Sequence, residues 1–172
     1  YKRQDVSSAS ASSEERLSPE EGDALGEIAN ISMGTAATTL SVLLNNRVEI
    51  TTPALSYVTV DDLKEKNQAP CVFVYIAYRT GLEGRNVLVL KERDVKIITD
   101  LMMGGDGTNT DVELSDLHLS AISEAMNQMM GSSATSMSTM INEMVDISPP
   151  TSIRVDFDDD AGLQDVLSDM IG

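Results

Sequence analysis

Two stretches of the chain carry apolar residues at helical spacing over more than twenty positions. The first begins at Leu17-Ser18-Pro19-Glu20-Glu21 and runs to about Asn45. Ser18 suits an N-cap, Pro19 the first helical position, and Glu21 closes a capping box. The second runs from about Asp116 to Asn142, with Ser115 as its N-cap. Between them the period shortens to that of strands. Val48 to Val60 holds one or two short runs broken near Pro53, Cys71 to Arg79 is strongly β-prone, and Asn86 to Leu90 follows a turn at Gly81–Gly84. Glu92 to Met103 returns to helical spacing at Val95, Ile98, Leu101 and Met102, and stops at Gly104-Gly105. Residues 145–148 and 153–157 read as strands, and the last ten residues as a short helix. Residues 1–16 are polar and Ser/Ala-rich with no apolar period, which predicts a linker or disordered tail.

An internal repeat organises these elements. Shifted by ninety-seven positions, the chain matches itself without a gap. Leu17, Ser18, Ala24, Glu27 and Asn30 fall on Leu114, Ser115, Ala121, Glu124 and Asn127. Met33, Gly34, Ala37, Thr38, Ser41 and Asn45 fall on Met130, Gly131, Ala134, Thr135, Ser138 and Asn142, and the match continues through Val48, Ile50 and Pro53 to Val145, Ile147 and Pro150. The expected fold is α+β, with pseudo-twofold symmetry. Two long repeated helices pack on a mainly antiparallel sheet, with a shorter middle helix. Residues 17–172 form one domain, with repeat halves at about 17–91 and 114–157.

Most repeated positions have structural uses. Gly34, Ala36 and Ala37, with Gly131, Ser133 and Ala134, are small residues that let helices or sheet approach closely. Leu40, Leu43, Leu44, Met137, Met140 and Ile141 sit at core spacing. Composition agrees: 41% of residues are hydrophobic, only six are aromatic, and ten Met help to fill the core. The single Cys71 cannot form an internal disulfide, which suits a reducing compartment. A formal net charge of −16 disfavours nucleic acid as a partner. No apolar run is long enough to predict membrane insertion.

Glu27/Asn30 and Glu124/Asn127 resist a core explanation. Each pair is three residues apart, so both side chains share a helical face. One such pair is ordinarily a solvated surface; two in register, each followed by Pro at the same distance, indicate selection for chemistry. A carboxamide is neutral and can be neither general base nor nucleophile. It can accept a hydrogen bond from a water and hold it in line for attack. A neighbouring Glu can ion-pair with a cation on a partner. Such a site brings no metal, nucleophile or phosphate cradle of its own, so it would complete an active site that the partner largely owns.

Other signals are weaker. Cys71 and Arg79 lack the spacing of a Cys-based phosphatase loop. IRVDFDDD, residues 153–160, departs from the aspartate-nucleophile motif after its second Asp. Asp106 to Asp111 begins like a calcium loop but has Asp111 and Leu117 where Gly and Glu are required. His118, the one His, has no metal-ligating neighbours in sequence.

The repeated pattern is Asp or Ser, three residues, Glu, two residues, Asn, twenty-two residues, Pro. It is met by Asp23–Glu27–Asn30–Pro53 and again by Ser120–Glu124–Asn127–Pro150. From Leu17 to Pro150 the chain resembles the CheC/CheX/FliY family of bacterial chemotaxis phosphatases. Segments such as GEIANISMGTAATTLSVLLNNRVEITTP resemble most the middle, CheC-like domain of its flagellar motor switch branch. The resemblance implies a substrate, the response regulator CheY phosphorylated on Asp, that itself carries Mg²⁺ and a Lys; the chain needs no cofactor of its own. Asn30 and Asn127 would orient the hydrolytic water, and Glu27 and Glu124 would contact the Lys. It also implies other switch proteins, FliM and FliN-type, as partners, and a cytoplasmic location at the flagellar basal body on the inner face of the membrane. Alternatives within the family are a scaffold module of the switch or an adaptor binding CheD. The N-terminal docking peptide and C-terminal FliN-like domain of that branch have no counterpart in these residues, so an excised middle domain is expected. Fewer residues follow Pro150 than follow Pro53 before the middle helix, and this predicts an asymmetric sheet.

Overall fold

A computed structural model describes residues 16–66 and 70–157. The tail expected over 1–16, apart from Arg16, and the helix expected over the last ten residues lie outside them. The element order is α1 (Pro19–Leu44), α2 (Val60–Lys66), β1 (Cys71–Thr80), β2 (Arg85–Lys91), α3 (Glu92–Met102), α4 (Asp116–Ile141), β3 (Asp146–Ile147) and β4 (Thr151–Val155).

The start of α1 follows its sequence. The Glu21 N–H donates to Ser18 Oγ at 3.2 Å, and the Ser18 N–H donates to Glu21 Oε2 at 2.8 Å. At α4 the Ser115 N–H donates to His118 Nδ1 at 3.1 Å, so the one His serves as a cap. Both helices end on an Asn with positive φ, Asn45 at 49° and Asn142 at 55°. Just beyond, the Val48 N–H donates to Ser41 Oγ at 2.9 Å and the Val145 N–H to Ser138 Oγ at 2.8 Å. The sequence repeat is therefore a repeat of hydrogen bonds as well.

The helices meet at equivalent positions. Ala36, Ala37, Ser133 and Ala134 are all buried at the crossing, where the Ser133 hydroxyl donates to the Ser32 carbonyl at 2.9 Å. Gly34 and Gly131 are not part of it: a Cβ on either would meet nothing within 4 Å. Close approach here depends on Ala and Ser rather than on Gly. Met140, expected in the core, is 38% exposed, while Leu44 and Met137 are buried.

The sheet is antiparallel. β1 pairs with β2 along one edge, from Cys71↔Lys91 to Ala77↔Arg85, and Gly81 and Gly84 turn the hairpin with φ of 79° and 115°. The other edge of β1 takes β4 over Cys71–Tyr75 and β3 at Tyr78 and Thr80. Pro149 and Pro150 separate β3 from β4, because Pro cannot donate to a ladder. Ser148 bridges the gap: its N–H donates to the Ala77 carbonyl at 2.8 Å, and its Oγ accepts the Ala77 N–H at 2.9 Å. β1 is covered on both faces. Val72, Val74 and Ile76 pack against Val95 of α3 and against Ile122, Ala125, Met126 and Met130 of α4. Cys71 and Phe73 pack with Val155 and Phe157, under Leu63 of α2.

One expected strand region is absent. Val48 to Thr59 forms neither strand nor helix, and Val60 opens α2 instead. In the second half Asp146 and Ile147 pair with β1. Among the described residues the second half supplies no long strand equivalent to β1, so the first copy has no ladder to join. The α2 start is a Thr-x-x-Asp capping box: the Thr59 N–H donates to Asp62 Oδ2 at 2.7 Å, and the Asp62 N–H to Thr59 Oγ1 at 3.2 Å.

Glu92 joins α3 to β4. It accepts from Lys96 Nζ at 2.8 Å and from Arg154 Nε at 3.1 Å. The hydrogen bond from Lys96, with help from Arg154, holds its carboxyl below the ordinary value of 4.5 despite some burial. The stabilisation is full above pH 4.5 and is lost as the pH falls through the lowered value. Glu92→Gln is therefore expected to be less stable than the parent at neutral pH, and the difference to shrink in acid. Urea unfolding at pH 7 and pH 3 checks this; a constant difference would contradict it.

Candidate active site

Helices α1 and α4 each present their Glu and Asn outward. Glu27, Asn30, Glu124 and Asn127 are all exposed, as a site acting on a macromolecular partner requires. Each pair lines its own cleft, against the Pro that follows its helix. The cleft of the first half, about 460 Å³, runs between α1 and residues 52–55; that of the second, about 520 Å³, runs between α4 and residues 149–152. The clefts correspond position for position under the shift that aligns the sequence. Pro19, Gly22, Asp23, Gly26, Glu27, Asn30, Thr52, Pro53 and Leu55 become Asp116, Leu119, Ser120, Ser123, Glu124, Asn127, Pro149, Pro150 and Ser152. Only Glu, Asn and the second wall residue, Pro, are identical in both. The structure brings each Glu to its own Asn and keeps the pairs in separate clefts.

The chemistry available is limited. Each cleft offers one carboxylate and one carboxamide in common, with the extra acids Asp23 in the first and Asp116 in the second. Among the described residues, no three His, Cys, Asp or Glu side chains gather as a metal group would need. The Cys71 thiol is buried in β1, and burial pushes its pKa up, the reverse of what a nucleophile needs. The Asp106 carboxylate of the glycine-rich loop is engaged locally, accepting the N–H and hydroxyl of Thr108 at 3.1 and 2.6 Å. Those hydrogen bonds hold its pKa below the ordinary value.

Two features of the second cleft, a side-chain pair and a serine relay, were not anticipated from sequence. Gln128 Nε2 donates to Glu124 Oε1 at 2.7 Å. Ser123 Oγ donates to Ser152 Oγ at 2.8 Å, and Ser152 Oγ donates to the Leu119 carbonyl at 2.9 Å. The first was readable as a Glu-x-x-x-Gln spacing. The second needs β4 laid beside α4, which no local pattern shows.

The model of the CheC-like family matches residues 20–57 and again residues 117–154, the same two windows that the internal repeat aligns. The flagellar motor switch phosphatase FliY of Bacillus subtilis (strain 168) is 46% identical over 153 residues, which is 89% of this chain and 40% of that protein. The chain thus spans less than half the length of this relative. The crystal structure of Thermotoga maritima FliY matches with a TM-score of 0.76 at 48% identity, covering 83% of this chain and 72% of that one. A chain of the FliG–FliM complex from H. pylori shares the fold, with a TM-score of 0.64 at 18% identity over 78% of this chain and 75% of that one.

Proposed function

Because this chain belongs to the CheC-like family, we propose that it accelerates hydrolysis of the aspartyl phosphate on the chemotaxis response regulator CheY, as part of a flagellar motor switch. The observation that carries this reading is the cleft built twice, with only Glu, Asn and Pro kept identical. Packing explains none of the four polar side chains, since all are exposed.

In this reading the regulator docks its phosphorylated Asp against α1 or α4 and brings its own Mg²⁺ and Lys. Asn30 or Asn127 accepts a hydrogen bond from a water and holds it in line with the phosphorus. The water oxygen bonds to phosphorus, the bond from phosphorus to the Asp oxygen breaks, and phosphate leaves with the Asp carboxylate restored. Glu27 or Glu124 pairs with the Lys and fixes the approach. FliM and FliN-type switch proteins are the proposed assembly partners, at the cytoplasmic face of the basal body. No helix among the described residues is long and apolar enough to cross a membrane.

The test is decay of phosphorylated CheY with and without the chain. Acceleration proportional to chain concentration is expected; none at saturating chain would leave scaffolding as the better account. Glu27→Ala with Glu124→Ala is expected to raise the regulator concentration needed for half-maximal rate, on the order of 10-fold, since a charge pair is lost in each cleft. A saturation curve measures this, and an unchanged midpoint would remove the Glu from the proposed contact.

A further inference from the structure

We propose that Gln128 and Ser152 are positioning residues that brace the second cleft for its partner, whereas the first cleft, which lacks both contacts, is braced less firmly. This rests on the reading that both clefts engage a phosphorylated regulator. Each cleft serves as the other's control, since the repeat places every residue opposite a counterpart.

At the second cleft the Gln128 hydrogen bond occupies Oε1 of Glu124 and leaves Oε2 for a cation on the partner. Ser152 ties the cleft's far wall to the helix: it sits in β4, in register with Val74 of β1, and donates to the Leu119 carbonyl on α4. Pro149 and Pro150 stiffen the wall between Ser148, bonded to Ala77, and Ser152.

The first cleft lacks these contacts, and its wall is held only farther along, where the Leu17 N–H donates to the Tyr57 hydroxyl at 2.7 Å. Ile31 stands where Gln128 does and is 38% exposed, and the Glu27 side chain has no hydrogen bond or ion pair among the described residues. Leu55 stands where Ser152 does and is 50% exposed, on a segment that belongs to no ladder. Gly26 replaces Ser123, so no hydroxyl remains to make the bond. Thr52 replaces Pro149. The Glu27 side chain must therefore be ordered when the regulator docks. Ordering a side chain on binding weakens association by roughly 2- to 12-fold, so the two clefts are expected to differ by roughly 5-fold in half-saturating regulator. Turnover at saturation should be alike, because each Asn, once docked, holds the same water.

The experiment uses the whole chain in two backgrounds, Asn30→Ala, in which only the second cleft works, and Asn127→Ala, in which only the first does. Decay of phosphorylated CheY is followed across regulator concentrations. The second cleft is expected to half-saturate at roughly 5-fold lower concentration, at a turnover within about 2-fold. In the Asn30→Ala background, Gln128→Ile with Ser152→Leu should erase that advantage. In the Asn127→Ala background, Ile31→Gln with Leu55→Ser should confer it on the first cleft. The latter pair sits at exposed positions, so it decides the matter even if Ser152→Leu disturbs folding. Equal midpoints in the two backgrounds, or midpoints that ignore the exchanges, would overturn the inference while the phosphatase reading stands. Failure of both single-Asn backgrounds to accelerate decay would instead defeat that reading, and the inference with it.

Discussion

In the Asn30→Ala, Asn127→Ala double variant, acceleration of phosphorylated CheY decay is expected to fall on the order of 10²-fold or to background. Each cleft keeps its carboxylate and its Pro wall, so docking survives and the fault lies in the positioned water. A carboxamide offers a regulator with its own metal and Lys little beyond orientation, and orientation is worth several kcal/mol when the geometry is right. Each single substitution leaves one complete cleft and should lower activity only in part. Folding should be retained, because both Asn are exposed on helices and Ala has the higher helix propensity. The measurement is the decay rate at saturating regulator, with circular dichroism as the control. A folded double variant as active as the parent would refute water positioning.

The second large effect concerns stability. Ile122 and Leu25 are counterparts in the repeat, yet Ile122 is 2% exposed and Leu25 is 44% exposed. Ile122→Ala should cost about 2–5 kcal/mol, because the methyl groups removed leave a void among Val72, Val74 and Val95 that rigid neighbours cannot fill. Leu25→Ala should cost under about 1 kcal/mol, since a half-exposed side chain loses little burial. Paired urea titrations read the difference directly. Equal costs would mean that the α1 face is packed as the α4 face is.

That contrast also separates what can be read along a chain from what cannot. Helix starts were legible because caps are local chemistry: Ser18 with Glu21, and Ser115 three residues before His118. Both long helices, the middle helix, β1, β2 and the two short strands fall close to their expected places for the same reason. The candidate site was legible because Glu and Asn three apart must share a face, and because two copies argue against accident. The pairing of Glu27 with Asn30 and of Glu124 with Asn127 on one helical face followed from helical periodicity alone.

What the sequence could not supply was partnership. Val48 to Thr59 has the composition of a strand, but a strand exists only where another edge offers its N–H and C=O groups, and β1 has both edges taken. Gly34 and Gly131, expected where helices or sheet approach closely, sit away from the helix crossing, because the rotation of two helices about their contact decides which small residues meet. The same limit hid the tie from Ser152 to α4. Local hydrogen bonding and periodicity determined the elements and the face each Glu/Asn pair would occupy. Only the tertiary structure decided which copy is buried, braced and paired, because burial and ladder hydrogen bonds belong to pairs of elements and not to either one.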